Sequence, residues 1–359
     1  MMYKFLLIED SPEDAEACMD TISRMNHQSE DTKIELVVSK TFDSALEELD
    51  KEYNGVIVDI KLDGGKSGNT IIHTIIDFYR VPVTVMTGTP DTDLEEGSPI
   101  KVYKKGESTY EEIVNTLIKS CATGLFNVIG GKGIIERAMN RVFWKNLYPQ
   151  IHIWEKLCEK DIDTERILLR YAIAHIQDLI DDEVPAYVTE EMYIKPPIND
   201  QIRTGSIIRA KEDDLCCIVL SPPCDLAKHN GVMKTDRIMV CEIDKQETIN
   251  LQLTQEVKQS KKKNAVLPAI KNNFKEYYHW LPENSLFLGG YVNFRRILTY
   301  TPEQLNEKFW PPEIRIQEYF VKSILNRFSS YYARQGQPDF DFEAEAETIV
   351  EKLANMVSD

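Results

Sequence analysis

Five short apolar runs in the first 122 residues, alternating with stretches of helical apolar spacing, constrain this chain more than any other feature in it. The first run is 3–8. Residues 12–25 then place Ala15, Cys18, Met19, Ile22 and Met25 at helical intervals, with Ser11 as a cap and Pro12 at the first helical position. Further strands are predicted at 34–38, 55–58, 81–86 and 100–103, and further helices at 43–49, 69–78 and 108–121. Continuous apolar runs mark strands covered on both faces, so the pattern predicts an α/β domain with a doubly wound, five-stranded parallel sheet.

Polar residues with distinct chemistry stand where these runs break. Glu9 and Asp10 follow the first, Asp59 ends Gly-Val-Ile-Val-Asp, Thr87 follows the fourth, and Lys104-Lys105 follows the last. In an open parallel sheet those positions share the carboxyl edge, where ligand sites form. Crowded carboxylates repel one another, and a hard divalent cation relieves that repulsion. Magnesium suits the set, with oxygens from Asp10, Asp59 and the Lys61 backbone carbonyl, and with Glu9 reached through water. Beside such an ion Asp59 is a nucleophile toward a phosphoryl group, with the Thr87 hydroxyl and a lysine ammonium contacting its oxygens. Carboxylates that merely cap helices would account for Glu9 and Asp10 but not for Thr87 and Lys105.

Across residues 3–121 these motifs resemble the receiver domain of two-component response regulators. The resemblance implies a flavodoxin-like fold and magnesium-dependent phosphorylation of Asp59 by a partner histidine kinase or a small phosphodonor. It matches Glu9 and Asp10 to the acidic pair, Thr87 to the switch hydroxyl and Lys105 to the family's lysine. Three departures stand out. A glycine, Gly106, replaces the proline after the lysine, which leaves Lys104 and Lys105 both open and favours Lys105. Asp63 stands where a proline is common, with an extra residue before Gly68. The aromatic expected three residues before the lysine falls on Val102, while Tyr103 sits one place off.

The formal charge is -17, concentrated in residues 1–122, whose 24 acidic and 12 basic side chains leave a net of -12. Neither half has the basic excess that phosphate-backbone binding requires, so nucleic acid is a poor partner. Seven unevenly spaced cysteines argue for reduced thiols rather than a disulfide framework. The absence of a long uncharged apolar stretch and of a leader argues for a cytoplasmic protein without a membrane partner.

After residue 122 the alternation stops, giving an expected receiver at 1–122, a helical connector at 123–195 and a β-rich α+β module at 196–359. Helices are predicted at 134–147, 166–180, 315–334 and 342–356, strands at 206–209, 215–220, 237–243, 249–253 and 286–294, a linker at 189–201 and a solvated basic loop at 258–263. Gly130-Gly131-Lys132-Gly133 lacks the spacing of a phosphate loop and reads as a hinge. His175, followed by isoleucine, reads as a partly buried helix residue rather than a phosphotransfer site. Cys216, Cys217, Cys224, His229 and Cys241 fit no zinc motif, since adjacent strand residues point to opposite faces. The loop Ser221-Pro-Pro-Cys224-Asp225 reads either as a nucleophile with an orienting group or as a tight turn whose aspartate caps its own backbone.

That loop, with Tyr278-His-Trp-Leu-Pro282, Gly290-Tyr-Val-Asn-Phe-Arg-Arg296 and the motif from Arg327 to Gly336, looks like an uncharacterised bacterial module containing a small SH3-like barrel of the PemK toxin type. Its fusion to a receiver is similar to the buffering protein of a Detocs-like anti-phage system, which implies a kinase, other receiver proteins and possible self-association as partners. On this reading the chain is a phosphoacceptor rather than an enzyme. The competing expectation is a receiver-gated nuclease or nucleotide-cleaving effector using Cys224, Asp225 and Arg295 or Arg296. A transcription regulator ranks last, for want of a helix-turn-helix pattern or a basic face.

Overall fold

In the computed structural model, β1 (Met2–Ile8) is the strand around which the first sheet is built, pairing in parallel with β2 (Lys33–Ser39) on one side and β3 (Gly55–Val58) on the other. β4 (Val83–Thr87) and β5 (Lys101–Lys104) extend the sheet in parallel, giving the order β2-β1-β3-β4-β5. The structure describes all residues except 50, 63–66, 89–91, 132, 161, 181–185, 230, 256, 335–338 and 358–359. Asp63, Lys132 and Gly336, named above, therefore lie outside the described residues. The chain divides into two compact units, Met1–Val184 and Pro185–Asp359.

The continuous apolar run of β1 has a direct cause. Phe5 and Leu7 face α1 (Pro12–Gln28) and α4 (Tyr110–Ala122), packing with Ala15, Cys18, Ile22, Ile113 and Leu117. Leu6 and Ile8 face α2 (Phe42–Leu49) and α3 (Gly68–Phe78), packing with Ala45, Leu49, Ile71 and Ile75. Both faces of the strand are thus buried, as the period-two alternation of a doubly wound sheet requires. The helices begin at readable caps. The Ser11 hydroxyl accepts from the Asp14 N–H, and Thr109 and Glu112 form a reciprocal capping box ahead of α4. Between β4 and β5 the described residues carry turns and bends and no helix.

Four further helices, α5 (Leu125–Ile129), α6 (Ile134–Val142), α7 (Ile151–Cys158) and α8 (Thr164–Ile180), complete the first unit. A single π-helical turn at Phe143–Leu147 stands where the predicted helix 134–147 ends. No single described helix is long and apolar enough to cross a membrane.

The second unit is built on a curled, antiparallel half-barrel. Its strands are β6 (Tyr193–Ile194), β7 (Ser206–Arg209), β8 (Cys216–Val219), β11 (Ile238–Asp244), β12 (Tyr278–Leu281), β13 (Gly290–Tyr300) and β14 (Ile314–Ile316), ordered β12-β13-β11-β8-β7-β14-β6. A small hairpin of β9 (Lys228–His229) and β10 (Val232–Met233) stands apart. The helices are α9 (Pro223–Leu226), α10 (Gln246–Thr254), α11 (Lys262–Ile270), α12 (Pro302–Lys308), α13 (Glu318–Tyr332) and α14 (Phe342–Val357).

Four expectations are corrected here. Residues 249–253, predicted as a strand, lie in α10, because Ile249 and Leu253 stand at helical i,i+4 spacing and both pack with the Tyr291 cluster. The predicted helix 315–334 begins only at Glu318, since Ile314–Ile316 pairs with β7 and β6 first. The basic run 258–263 is a 3-10 turn leading into α11 rather than a loop. The expected linker 189–201 supplies an edge strand, whose Tyr193 is buried and donates its hydroxyl to Pro282 O at 2.7 Å.

His279 of β12 is 4% exposed, with no partner at Nδ1. Burial, then the positive charge of Arg327, pushes its pKa from 6.5 down to about 3. A depressed histidine favours the fold when neutral, so this contribution is intact above pH 6.5 and is lost as pH falls toward 3. We predict that His279→Gln removes up to about 1.4 kcal/mol per pH unit of acid sensitivity across that window. Urea unfolding of both chains at several pH values measures the difference in slope, and parallel slopes would refute the assignment.

Candidate functional site

The carboxyl edge of the parallel sheet is organised by backbone bonds between strand ends. The Glu9 N–H donates to Ser39 O at 3.0 Å, the Asp59 N–H to Ile8 O at 2.9 Å, and the Lys105 N–H to Thr87 O at 2.9 Å. These bonds hold Glu9, Asp59 and Lys105 at the ends of β1, β3 and β5, with Thr87 closing β4 between them. Glu9, Asp59 and Thr87 are 1%, 5% and 0% exposed, while Asp10, Asp14 and Lys105 are half-buried, so the edge is a buried floor with a partly open rim.

Lys105 ties the pocket together. Its Nζ donates to Glu9 Oε2 at 2.8 Å, to Asp59 Oδ2 at 2.7 Å and to Asp14 Oδ2 at 2.7 Å. Lys104 instead pairs with Glu107 at the surface. The neighbouring lysines are thereby separated, and it is Lys105 that reaches Asp59. The remaining carboxylate oxygens are also engaged: Glu9 Oε1 accepts from the Ser11 N–H at 3.1 Å and Asp59 Oδ1 from the Lys61 N–H at 3.3 Å. Burial raises the Glu9 pKa, opposed by the Lys105 hydrogen bond and reinforced by the charge of Asp59. Burial alone would lower the Lys105 pKa, but Asp14, Asp59 and Glu9 together raise it well above its ordinary value. Both effects describe a pocket with excess negative charge that a single ammonium partly offsets.

Asp14 was not singled out by sequence reasoning. It stands at the third helical position after the Ser11 cap, which brings the first turn of α1 against the strand ends, and that cap spacing was the available signal.

One oxygen each from Glu9, Asp10 and Asp59 lies within 4.8 Å of the others, the metal-competent group found among the described residues. Three carboxylate oxygens at this spacing suit a hard divalent cation, of which the expected magnesium is one. Lys61, whose carbonyl was expected to join the ligand set, donates its N–H to Asp59 and bridges Ser67.

The loop after Asp59 returns tightly. The Gly68 N–H donates to Ile60 O at 2.8 Å, and a Cβ at Gly68 would stand 2.0 Å from Asp59 O. Only glycine permits that approach of the α3 N-terminus to the Asp59 backbone. Val102 is exposed, whereas Tyr103 turns inward and its hydroxyl lies 3.0 Å from Thr116 Oγ1. The aromatic side chain of β5 is therefore packed on α4, one register away from the position the receiver pattern implies.

In the second unit, Cys224 and Asp225 lie on α9, with Sγ 3.6 Å from Asp225 Oδ1. Arg295 stacks on Tyr277 at 3.9 Å, and Arg296 pairs with Glu242 at 2.7 Å and Asp244 at 3.3 Å. The recorded contacts thus give Cys224-Asp225, Arg295 and Arg296 three separate sets of partners. The seven cysteines are free thiols. Burial pushes Cys216 up to about 11 and Cys241 up to about 12, which disfavours the thiolates that zinc would need. His175 of α8 is half-buried with its ring against Tyr171.

No protein-family model matches the chain, and no curated protein matches it. Solved structures similar to the N-terminal third include response regulator receiver domains. The CheY-like receiver domain from Methylobacillus flagellatus is 14% identical over 33% of this chain and 99% of its own, with a TM-score of 0.27. The receiver domain of the Francisella response regulator 1452 is 18% identical over 33% and 98%, with a TM-score of 0.28. The BeF3-activated receiver domain of Klebsiella pneumoniae RstA is 24% identical over 32% and 96%, with a TM-score of 0.26.

Replacing Lys105 with methionine leaves buried carboxylates without their cation. We predict a loss of about 3–5 kcal/mol in the presence of EDTA. Millimolar magnesium should restore more stability to Lys105→Met than to the native chain, because the ion replaces the missing charge. Thermal unfolding with and without magnesium measures both effects, and equal magnesium shifts would contradict the account.

Proposed function

We propose that this chain is a two-component phosphorelay protein whose residues 1–122 form a magnesium-dependent receiver phosphorylated on Asp59. The observation that carries this reading is the convergence of Glu9, Asp59 and Lys105 through the Lys105 ammonium, at 2.7–2.8 Å, on the edge of a five-stranded parallel sheet.

The chemistry follows from these residues. An Asp59 carboxylate oxygen attacks phosphorus in a phosphohistidine of a partner kinase, the phosphorus–nitrogen bond breaks, and the imidazole keeps the electron pair. A small phosphodonor serves in the same way. Lys105 exchanges part of its carboxylate contact for a phosphoryl oxygen, and the Thr87 hydroxyl contacts another. Glu9, Asp10 and Asp59, with the Lys61 carbonyl, would hold magnesium, which when bound would offset negative charge on the aspartate and the incoming phosphoryl group. Thr87 ends β4 and Lys105 follows β5, so the modified state is read at that side of the sheet.

In this reading 123–195 act as a connector and 196–359 as the responding or docking module, and the protein works in the cytoplasm without enzymatic turnover of its own beyond self-phosphorylation and its reversal. Its partners are a histidine kinase, other receivers of the same system and a second copy of the chain. Phosphorylation switches or buffers an anti-phage defence signal, a role supported by the resemblance of the C-terminal motifs to a module fused to receivers in such systems.

Incubation with magnesium and acetyl phosphate is expected to add one phosphoryl group, detected as a mass gain stable in acid and labile in base. The gain should vanish in Asp59→Asn and without magnesium. Its retention in Asp59→Asn would overturn the site assignment. For the defence role, cells carrying the native chain and its kinase should differ in phage plaque counts from cells carrying Asp59→Asn, and equal counts would remove that role while leaving the phosphoacceptor chemistry intact.

A further inference from the structure

The chain carries a strong negative excess, yet one cleft of the second unit gathers three cations against a single carboxylate. This cleft of about 700 Å³ lies between the turn after α11 and the last turns of α13. Lys275, Arg327 and Arg334 line it, with Glu276 as the acidic residue of the lining. Glu276 pairs with Arg334, and Arg327 forms no ion pair among the described residues.

Arg327 is the informative member. Its Nη2 donates to Tyr278 O at 2.9 Å and reaches Lys275 O at 3.5 Å, while its Nε is buried without a partner. Burial lowers its pKa, with Glu276 opposing from a distance. A half-buried guanidinium whose partners are neutral carbonyls retains unmet demand for an anion. The adjoining His279, buried and neutral, supplies no negative charge either.

Aromatic rings accompany the cations. Arg334 lies 4.2 Å from the centre of the Tyr331 ring, the Tyr331 hydroxyl accepts from Arg295 Nε at 3.1 Å, and Lys275 stands 5.3 Å from the exposed Phe274 ring. Asn272 and Asn273 add amides to the same wall. The contrast with the cleft of about 440 Å³ around Glu242, Asp244 and Arg296 is instructive, because there Arg296 pairs with both carboxylates and Lys245 with Asp214.

We propose that the cleft between Lys275, Arg327 and Arg334 binds a nucleotide, with its phosphates on the cations and its base on the Phe274 ring. Guanidinium groups bind phosphate oxygens through charge-assisted hydrogen bonds, and bases stack on aromatic side chains. A volume of about 700 Å³ lies within the range of small-ligand pockets. The site is separate from the Asp59 pocket, and its occupancy would give the second unit a ligand input of its own.

Calorimetric titration of the full chain in EDTA tests this with ATP, inorganic triphosphate and adenosine as probes. ATP should bind saturably, with triphosphate and adenosine each weaker by on the order of tenfold or more. The exposed double variant Lys275→Glu/Arg334→Glu should lose on the order of tenfold or more in ATP affinity at an unchanged thermal midpoint. Phe274→Ala should weaken ATP but not triphosphate. Absence of ATP binding at millimolar concentration, or native affinity in the double variant, would overturn the site. Equal binding of triphosphate and ATP would overturn its assignment to nucleotides.

Discussion

The arrangement depends on one lysine. Glu9 and Asp59 are carboxylates placed by backbone register at a buried strand edge, where their mutual repulsion and loss of hydration both oppose folding. Lys105 answers both from the far end of the sheet, and in doing so it recruits Asp14 from the first turn of α1. The interaction therefore couples β1, β3, β5 and α1 through a single ammonium. Under the proposed function, the contact that makes the unmodified pocket tolerable is the one that an incoming phosphoryl group would redistribute, so the stability of the pocket and its proposed chemistry draw on the same charges.

The first unit was legible in the sequence because its physics is local. A strand covered on both faces must be apolar throughout, as Phe5 to Ile8 are, and a helix that starts hard against a strand end needs a cap, as Ser11 and Thr109 are. The choice between Lys104 and Lys105 was not legible to the same degree. It turns on which side chain points inward at the end of β5, and adjacent residues there differ only by the pleat. Asp14 escaped because its contact with Lys105 spans 91 positions and depends on the angle of α1 rather than on any motif.

The second unit yielded less for a related reason. Its strands belong to an antiparallel sheet whose order puts β13 between β12 and β11, and β14 between β7 and β6, so neighbours in sequence are often not neighbours in space. Short apolar runs then lose their diagnostic value: Ile249 and Leu253 read as a strand and fold as a helix, whereas Arg315 and Ile316 read as a helix start and pair as a strand. Its charged residues show the same distinction between composition and placement. A count over the whole chain gives a strongly acidic protein, but Lys275, Arg327 and Arg334 meet at one cleft.

Gly68 carries a consequence for how chains of this kind are compared. Its backbone crosses so close to the Asp59 carbonyl that any side chain would collide with the main chain rather than with a movable group. Among relatives that keep this crossing, the position would vary as little as the aspartate itself, although it contributes no charge, no proton and no ligand atom. An alignment column frozen at glycine beside a reactive carboxylate would then record the thickness of a polypeptide, and a search for catalytic residues by invariance alone would mistake clearance for chemistry.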